Sequence, residues 1–286
     1  MYKALNYWVF GGFEGARTPY EFIDFAAEQG LDGVELTFGD IIMPDITDAE
    51  CVKIRQYAES KNVGLRTMAS GAGWAMPVSS EDAAEAEKAF EFNKRYIEVA
   101  ALLGAKTVLL VPGATRGLDP AAPVRSYKSV WDKSVAALKK LAVVAEKHQV
   151  FIGVENVWNR FLLSPMEWKY FLDEIDSPWV GIYLDIANCQ YQLPATDYVE
   201  ILGDKIKAVH VKNYTVTGDW GSTLDFGEDI LEGDVEFDKI INALNKIGYQ
   251  GAFTAEMIPF SRGENLNIPD YDLAVKTVAA MKKIFG

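Results

Sequence analysis

Cysteine and histidine are scarce in this chain, with two of each among 286 residues. Cys51 and Cys189 lie far apart without metal-type spacing, which argues against a disulfide framework and fits a reducing cytoplasm. Cys189 follows Asp185 closely but reads as a buried bystander thiol. Basic residues are outnumbered too, 28 Lys and Arg against 41 Asp and Glu, for a formal net charge of −13. Nucleic acid is held through clustered Lys and Arg, so no nucleic-acid partner is expected. Signal-peptide patterning is missing from Met1–Asn6, and no apolar run approaches a membrane span. The expectation is a soluble, cytoplasmic protein with no membrane partner. Pro/Ser-rich linkers and low-complexity tracts are lacking as well, so residues 1–286 are expected to form a single domain.

Apolar material is plentiful. Hydrophobic residues make up 49% of the chain and aromatics 12%, enough for a large core. Its distribution alternates between short apolar runs and amphipathic stretches. Strand-like runs fall at Ala4–Phe10, Gly33–Thr37, Gly64–Ala69, Thr107–Val111, Phe151–Glu155, Val180–Asp185, Ile206–Val209 and Gly251–Ala255. Helices are expected between them. Thr18 and Pro19 open one as cap and first-turn proline, and Gly30 stops it. Thr47 and Glu50 form a capping-box pattern for a helix to about Lys61. Further helices span Glu81–Leu103 and Ser126–His148, start at Ser164–Glu167 and Pro194, and span Val235–Ile247 and Pro269–Phe285. A small-residue loop is read at Ser70–Trp74. Eight strict βα units demand a parallel sheet and favour an α/β fold of the (β/α)8 TIM-barrel type. The competing doubly wound sheet needs a glycine-rich phosphate turn after strand one, and Gly11–Gly15 does not match it. The longest non-helical stretch, Asn213–Asp234, is read as a functional loop.

Four consecutive strands end in metal-ligand side chains: Glu155, Asp185, His210 and Glu256. Each is unremarkable alone, since a strand-tip acid is more often solvated and a strand histidine more often a core residue. Barrel active sites, however, assemble at the C-terminal ends of strands, and here strands five to eight all deliver a ligand type there. Three carboxylates and one imidazole suit Mn²⁺, Co²⁺, Mg²⁺ or Zn²⁺. The second histidine, His148, falls at a helix C-terminus, where a cation is stabilised.

The segments Gly153–Asn156, Leu184–Asn188, Val209–Lys212, Glu232–Phe237 and Ala255–Met257 give the chain a family resemblance. It resembles the sugar and sugar-phosphate isomerase/epimerase group of xylose-isomerase-like barrels, which includes ketose 3-epimerases, pentulose-5-phosphate 3-epimerases and inosose dehydratases. The resemblance implies one divalent ion, usually manganese, on Glu155, Asp185, His210 and Glu256. It also implies that Glu155 and Glu256 are the catalytic proton-transferring pair, acting next to a ketose carbonyl through an enediolate, with 3-epimerisation favoured. The partner is then a small sugar or sugar phosphate, and a homo-oligomer is expected. Candidate substrate-binding residues are Asn188, Lys212, Arg160, Trp158 and Glu35. Asn188 stands where several free-ketose epimerases carry histidine and resembles the phosphopentulose branch instead. Lys212 shares a strand face with His210. Glu35 is also a candidate for orienting a ligand by a hydrogen bond from behind, and Trp8, Trp74 and Trp158 are candidate pocket walls. Competing readings are a lyase, of inosose-dehydratase type or eliminating from a 3-keto sugar, and an inactive sugar-binding barrel. A DNA-repair endonuclease with a trinuclear zinc cluster is disfavoured by two histidines and an acidic chain.

Overall fold

The computed structural model describes all residues except 118–120, 122, 219–221 and 286. Eight parallel strands pair in sequence order and close on themselves. They are β1 Tyr2–Asn6, β2 Gly33–Thr37, β3 Gly64–Ala69, β4 Thr107–Leu110, β5 Phe151–Glu155, β6 Val180–Asp185, β7 Ile206–Val211 and β8 Ala252–Ala255. Pairing of Tyr2–Leu5 with Ala252–Ala255 closes the ring. Every residue of β2, β4, β6 and β8 is buried, which is why these runs are largely apolar and do not alternate regularly with polar residues.

The helices outside the strands start where their caps predict. Thr18 and Glu21 form a reciprocal capping box ahead of Pro19–Gln29, and Gly30 ends that helix in the left-handed conformation. Ser164 and Glu167 do the same for Pro165–Ile175. At Thr47 only half of the expected box forms. Thr47 accepts from the Glu50 amide, but the Glu50 carboxylate turns to the Tyr20 hydroxyl and Lys53.

Two local expectations are corrected. The first strand ends at Asn6 and does not run to Phe10, because the Asn6 side chain accepts from the Trp8 amide at 2.8 Å and caps a short helix, Tyr7–Gly11. The loop after β3 contains a helical turn, Ala72–Ala75. Within the long stretch after β7, Thr223–Asp225 forms a 3-10 turn, while Asp219 lies outside the described residues.

Gly153 on β5 has a spatial reason. A methyl group there would stand 2.9 Å from the Cβ of Tyr183 on β6. Its absence lets Tyr183 turn inward and reach Glu35 on β2, on the opposite side of the barrel. That crossing forms the floor of the site.

Candidate metal centre

Glu155, Asp185 and His210 lie at the C-terminal ends of β5, β6 and β7, and Glu256 follows β8 directly. Asp185 and His210 are partners in the strand register, and the Glu256 amide donates to the carbonyl of Val211 at 2.9 Å. One ligand atom from each of the four lies within 4.8 Å of all the others, and all four residues are buried. The strand tips thus converge on one point, as the sequence predicts.

Asn156 and Asn188 lock the rim. Asn156 donates to the carbonyl of Asp185 and accepts from its amide, both at 2.8 Å, so it splices β5 to β6. Asp185 Oδ1 accepts from the amides of Ala187 and Asn188 at 2.9 Å. Asp185 Oδ2 remains turned inward and accepts no hydrogen bond of good geometry, although the Lys212 ammonium stands 2.7 Å away. The same ammonium donates to Glu256 Oε2 at 2.7 Å.

Around His210 the two ring nitrogens have different surroundings. Nδ1 faces the ligand cluster, 3.0 Å from Glu155 Oε1 and 3.4 Å from Glu256 Oε2. Nε2 faces Glu35 Oε1 at 2.7 Å. Glu35 also accepts from Asn6 Nδ2 at 2.8 Å and from the Tyr183 hydroxyl.

Burial pushes the Glu155 carboxyl up to about 7, helped by the neighbouring charge of Glu256. Burial acts on Glu256 in the same direction, but His210 and Lys212 outweigh it and hold this carboxyl below the usual range. Desolvation disfavours a charged His210, yet the charges of Glu256 and Glu35 reverse the balance and raise its pKa well above the ordinary value.

The charge inventory fits a divalent cation. Four buried carboxylates, Glu35, Glu155, Asp185 and Glu256, face one lysine and one imidazole. With all four carboxylates ionised and the imidazole protonated, two negative charges stay unmatched among the described residues of the cluster. Buried charge of that kind is costly unless paired or bound to metal. The donor set of carboxylate oxygens and one imidazole nitrogen suits such an ion. These residues make up a four-ligand divalent-metal site.

A cavity of about 190 Å³ opens above the cluster. Glu155, Glu256, Lys212, Asn188 and Trp158 line it, as do Trp8 and Trp74. Two candidates fall elsewhere. Arg160 is exposed and is not among the lining residues; it sits in a left-handed turn where its carbonyl accepts from Thr115. Glu35 is wholly buried, contacts the His210 ring and is not among the lining residues. Sequence reasoning missed Asn6 and Tyr183. Tyr183 precedes Asp185 by two positions on one strand face, a signal that was there to be read. Cys189 is buried, with its thiol pKa raised chiefly by desolvation, as a bystander should be.

The family model for xylose isomerase-like TIM barrels matches residues 23–283. The chain belongs to that family. Among curated proteins, it is 27% identical over 245 residues to SgbU of Haemophilus influenzae, provisionally named an L-ribulose-5-phosphate 3-epimerase; the match covers 83% of this chain and 79% of that protein. It is 26% identical over 262 residues to a ketose 3-epimerase of Arthrobacter globiformis, covering 86% and 79%. Among solved structures, a D-psicose 3-epimerase with D-tagatose from Clostridium cellulolyticum H10 superposes with a TM-score of 0.82 at 18% identity, covering 100% of this chain and 98% of the other. A metal-ligand quartet in a TIM barrel homologous to ketose 3-epimerases places the chain among isomerase-type enzymes of carbohydrate metabolism.

Proposed function

We propose that this protein is a manganese-dependent ketose 3-epimerase. The observation that carries the reading is the division of labour within the quartet. Glu155 and Glu256 line the cavity, whereas Asp185 and His210 are wholly buried and do not. Two carboxylates open to a substrate and two ligands behind them suit a two-base inversion. One glutamate takes the proton from C3 of the ketose, and the electron pair moves into the enediolate. The other glutamate returns a proton to the opposite face of C3. A bound divalent ion would polarise the carbonyl and neighbouring hydroxyl, acidifying that C–H.

The remaining residues have roles consistent with this. His210 and Lys212 hold Glu256 ionised, the form in which a carboxylate can accept a proton. Asn188 and Trp158 stand at the cavity wall to position the sugar. Glu35 keeps His210 turned with Nδ1 toward the ion.

The same proposal includes a cytoplasmic homo-oligomer of one-domain subunits, acting on a small sugar and binding no nucleic acid. Its supports are the family resemblance, the formal charge of −13, and a barrel whose elements run from Tyr2 to Phe285. No described helix is long and apolar enough to cross a membrane.

The test is metal analysis of the purified protein followed by a ketose panel with added Mn²⁺. The expected result is one divalent ion per chain and interconversion of C3 epimers. An ultraviolet-absorbing enone product would point instead to elimination. Turnover of no ketose, free or phosphorylated, would reject the reading.

A further inference from the structure

Sugar phosphates are received by cationic side chains or by backbone amides, and the cation on the cavity wall and the one on the loop after β8, Lys212 and Arg262, are committed to protein carboxylates. Barrels of this type frequently bind phosphate at the loops following strands seven and eight. In this chain the loop after β8 supplies Arg262. Its Nε and Nη2 donate to the two carboxylate oxygens of Glu228, at 2.8 and 2.9 Å, and its Nη1 pairs with Asp270. Glu228 belongs to the loop after β7, so this two-pronged pair ties the two loops together. Such forked, charge-assisted contacts are among the stronger hydrogen bonds. The space beside Arg262, bounded by Trp8 and Ile258, measures about 20 Å³. That is room for one water molecule and too little for a phosphate group.

Lys212 is the one lysine or arginine lining the main cavity among the described residues, and it is held 2.7 Å from both Asp185 and Glu256 at the metal centre. The residues outside the described set include no Lys or Arg. The rest of the lining is mainly apolar and includes six aromatic rings, Trp8, Phe13, Trp74, Trp158, Phe226 and Phe260. Two of the indoles have already spent their donors. Trp8 Nε1 donates to Asp40 at 2.7 Å and Trp158 Nε1 to the Asn188 carbonyl at 3.1 Å, so what remains of them for a ligand is ring surface. A doubly charged ester brought against these rings loses hydration without gaining a partner. The apolar faces of a neutral sugar lose little there.

We propose that the substrate is an unphosphorylated ketose whose chain end is uncharged and packs against the aromatic wall. This rests on the epimerase reading above and narrows it, since the name of one relative carries a 5-phosphate and that of another does not.

The test uses the manganese-loaded enzyme with a free ketopentose and its 5-phosphate, and with a free ketohexose and its 6-phosphate. Epimer formation at C3 is followed for each, together with competition by each ester. The expected kcat/KM for the free sugar exceeds that of its ester by at least about tenfold, and the ester inhibits only at concentrations well above the KM of the free sugar. A higher kcat/KM for either ester overturns this inference and leaves the epimerase reading standing. Epimer formation from none of the four overturns both.

Discussion

His210 Nε2 lies 2.7 Å from Glu35 Oε1, a contact that crosses the barrel from β7 to β2. It leaves Nδ1 as the nitrogen facing Glu155 and Glu256. Carboxylates placed behind a metal-binding imidazole fix its tautomer and raise its basicity. Glu35→Gln is therefore expected to weaken Mn²⁺ binding about 10–100-fold, with activity largely regained at saturating metal. Calorimetric titration of the metal-free protein measures this. Unchanged affinity would show that Glu35 only fills the barrel floor.

Metal uptake should release protons. Without the ion, burial and Glu256 raise the Glu155 carboxyl to about 7, and the surrounding acids hold His210 protonated well above the ordinary histidine range. Both groups must be unprotonated to bind an ion. Affinity is thus expected to rise with pH, through neutrality as Glu155 loses its proton and on above it as His210 loses its own. Titration in two buffers of different ionisation enthalpy counts the protons released. Equal heats in both would contradict this assignment.

Lys212 is buried between Asp185 and Glu256 at 2.7 Å from each. Removing one partner of a buried ion pair costs about 3–5 kcal/mol because the other charge is left uncompensated. Lys212→Met should lower the stability of the metal-free protein by roughly that amount. Much of the loss should return when Mn²⁺ is added, since the ion compensates the same two acids. Chemical denaturation with and without metal checks both halves, and a loss that metal does not relieve would place the role of Lys212 elsewhere.

Much of this was legible in the sequence for identifiable reasons. Parallel strands buried on both faces read as continuous apolar runs, and Glu155, Asp185, His210 and Glu256 interrupt that pattern at their ends. The caps at Thr18 and Ser164 are local chemistry and need no tertiary context. What stayed hidden depends on the closed ring. Asn6 was absorbed into an aromatic run because its cap to Trp8 is set by where the chain leaves β1. Glu35 could be read both as a substrate contact and as an acid orienting a ligand from behind, and the choice waited on its partners, Tyr183 and His210, which come from strands more than 140 positions away. Arg160 follows the strand closely in sequence, yet a left-handed turn carries it to the surface.

In the proposed reaction the two cavity-facing glutamates carry a proton to and from one carbon. The most direct measurement is deuterium incorporation at C3 of a ketose in D₂O by the manganese-loaded protein and by its Glu256→Gln variant. The expected result is label at C3 of the product epimer with the wild-type protein, and epimer formation about 10²–10⁴-fold slower in a variant that still folds and binds the metal. Label entering at C1 alone, or a variant that forms the C3 epimer as fast as the wild type, would contradict it.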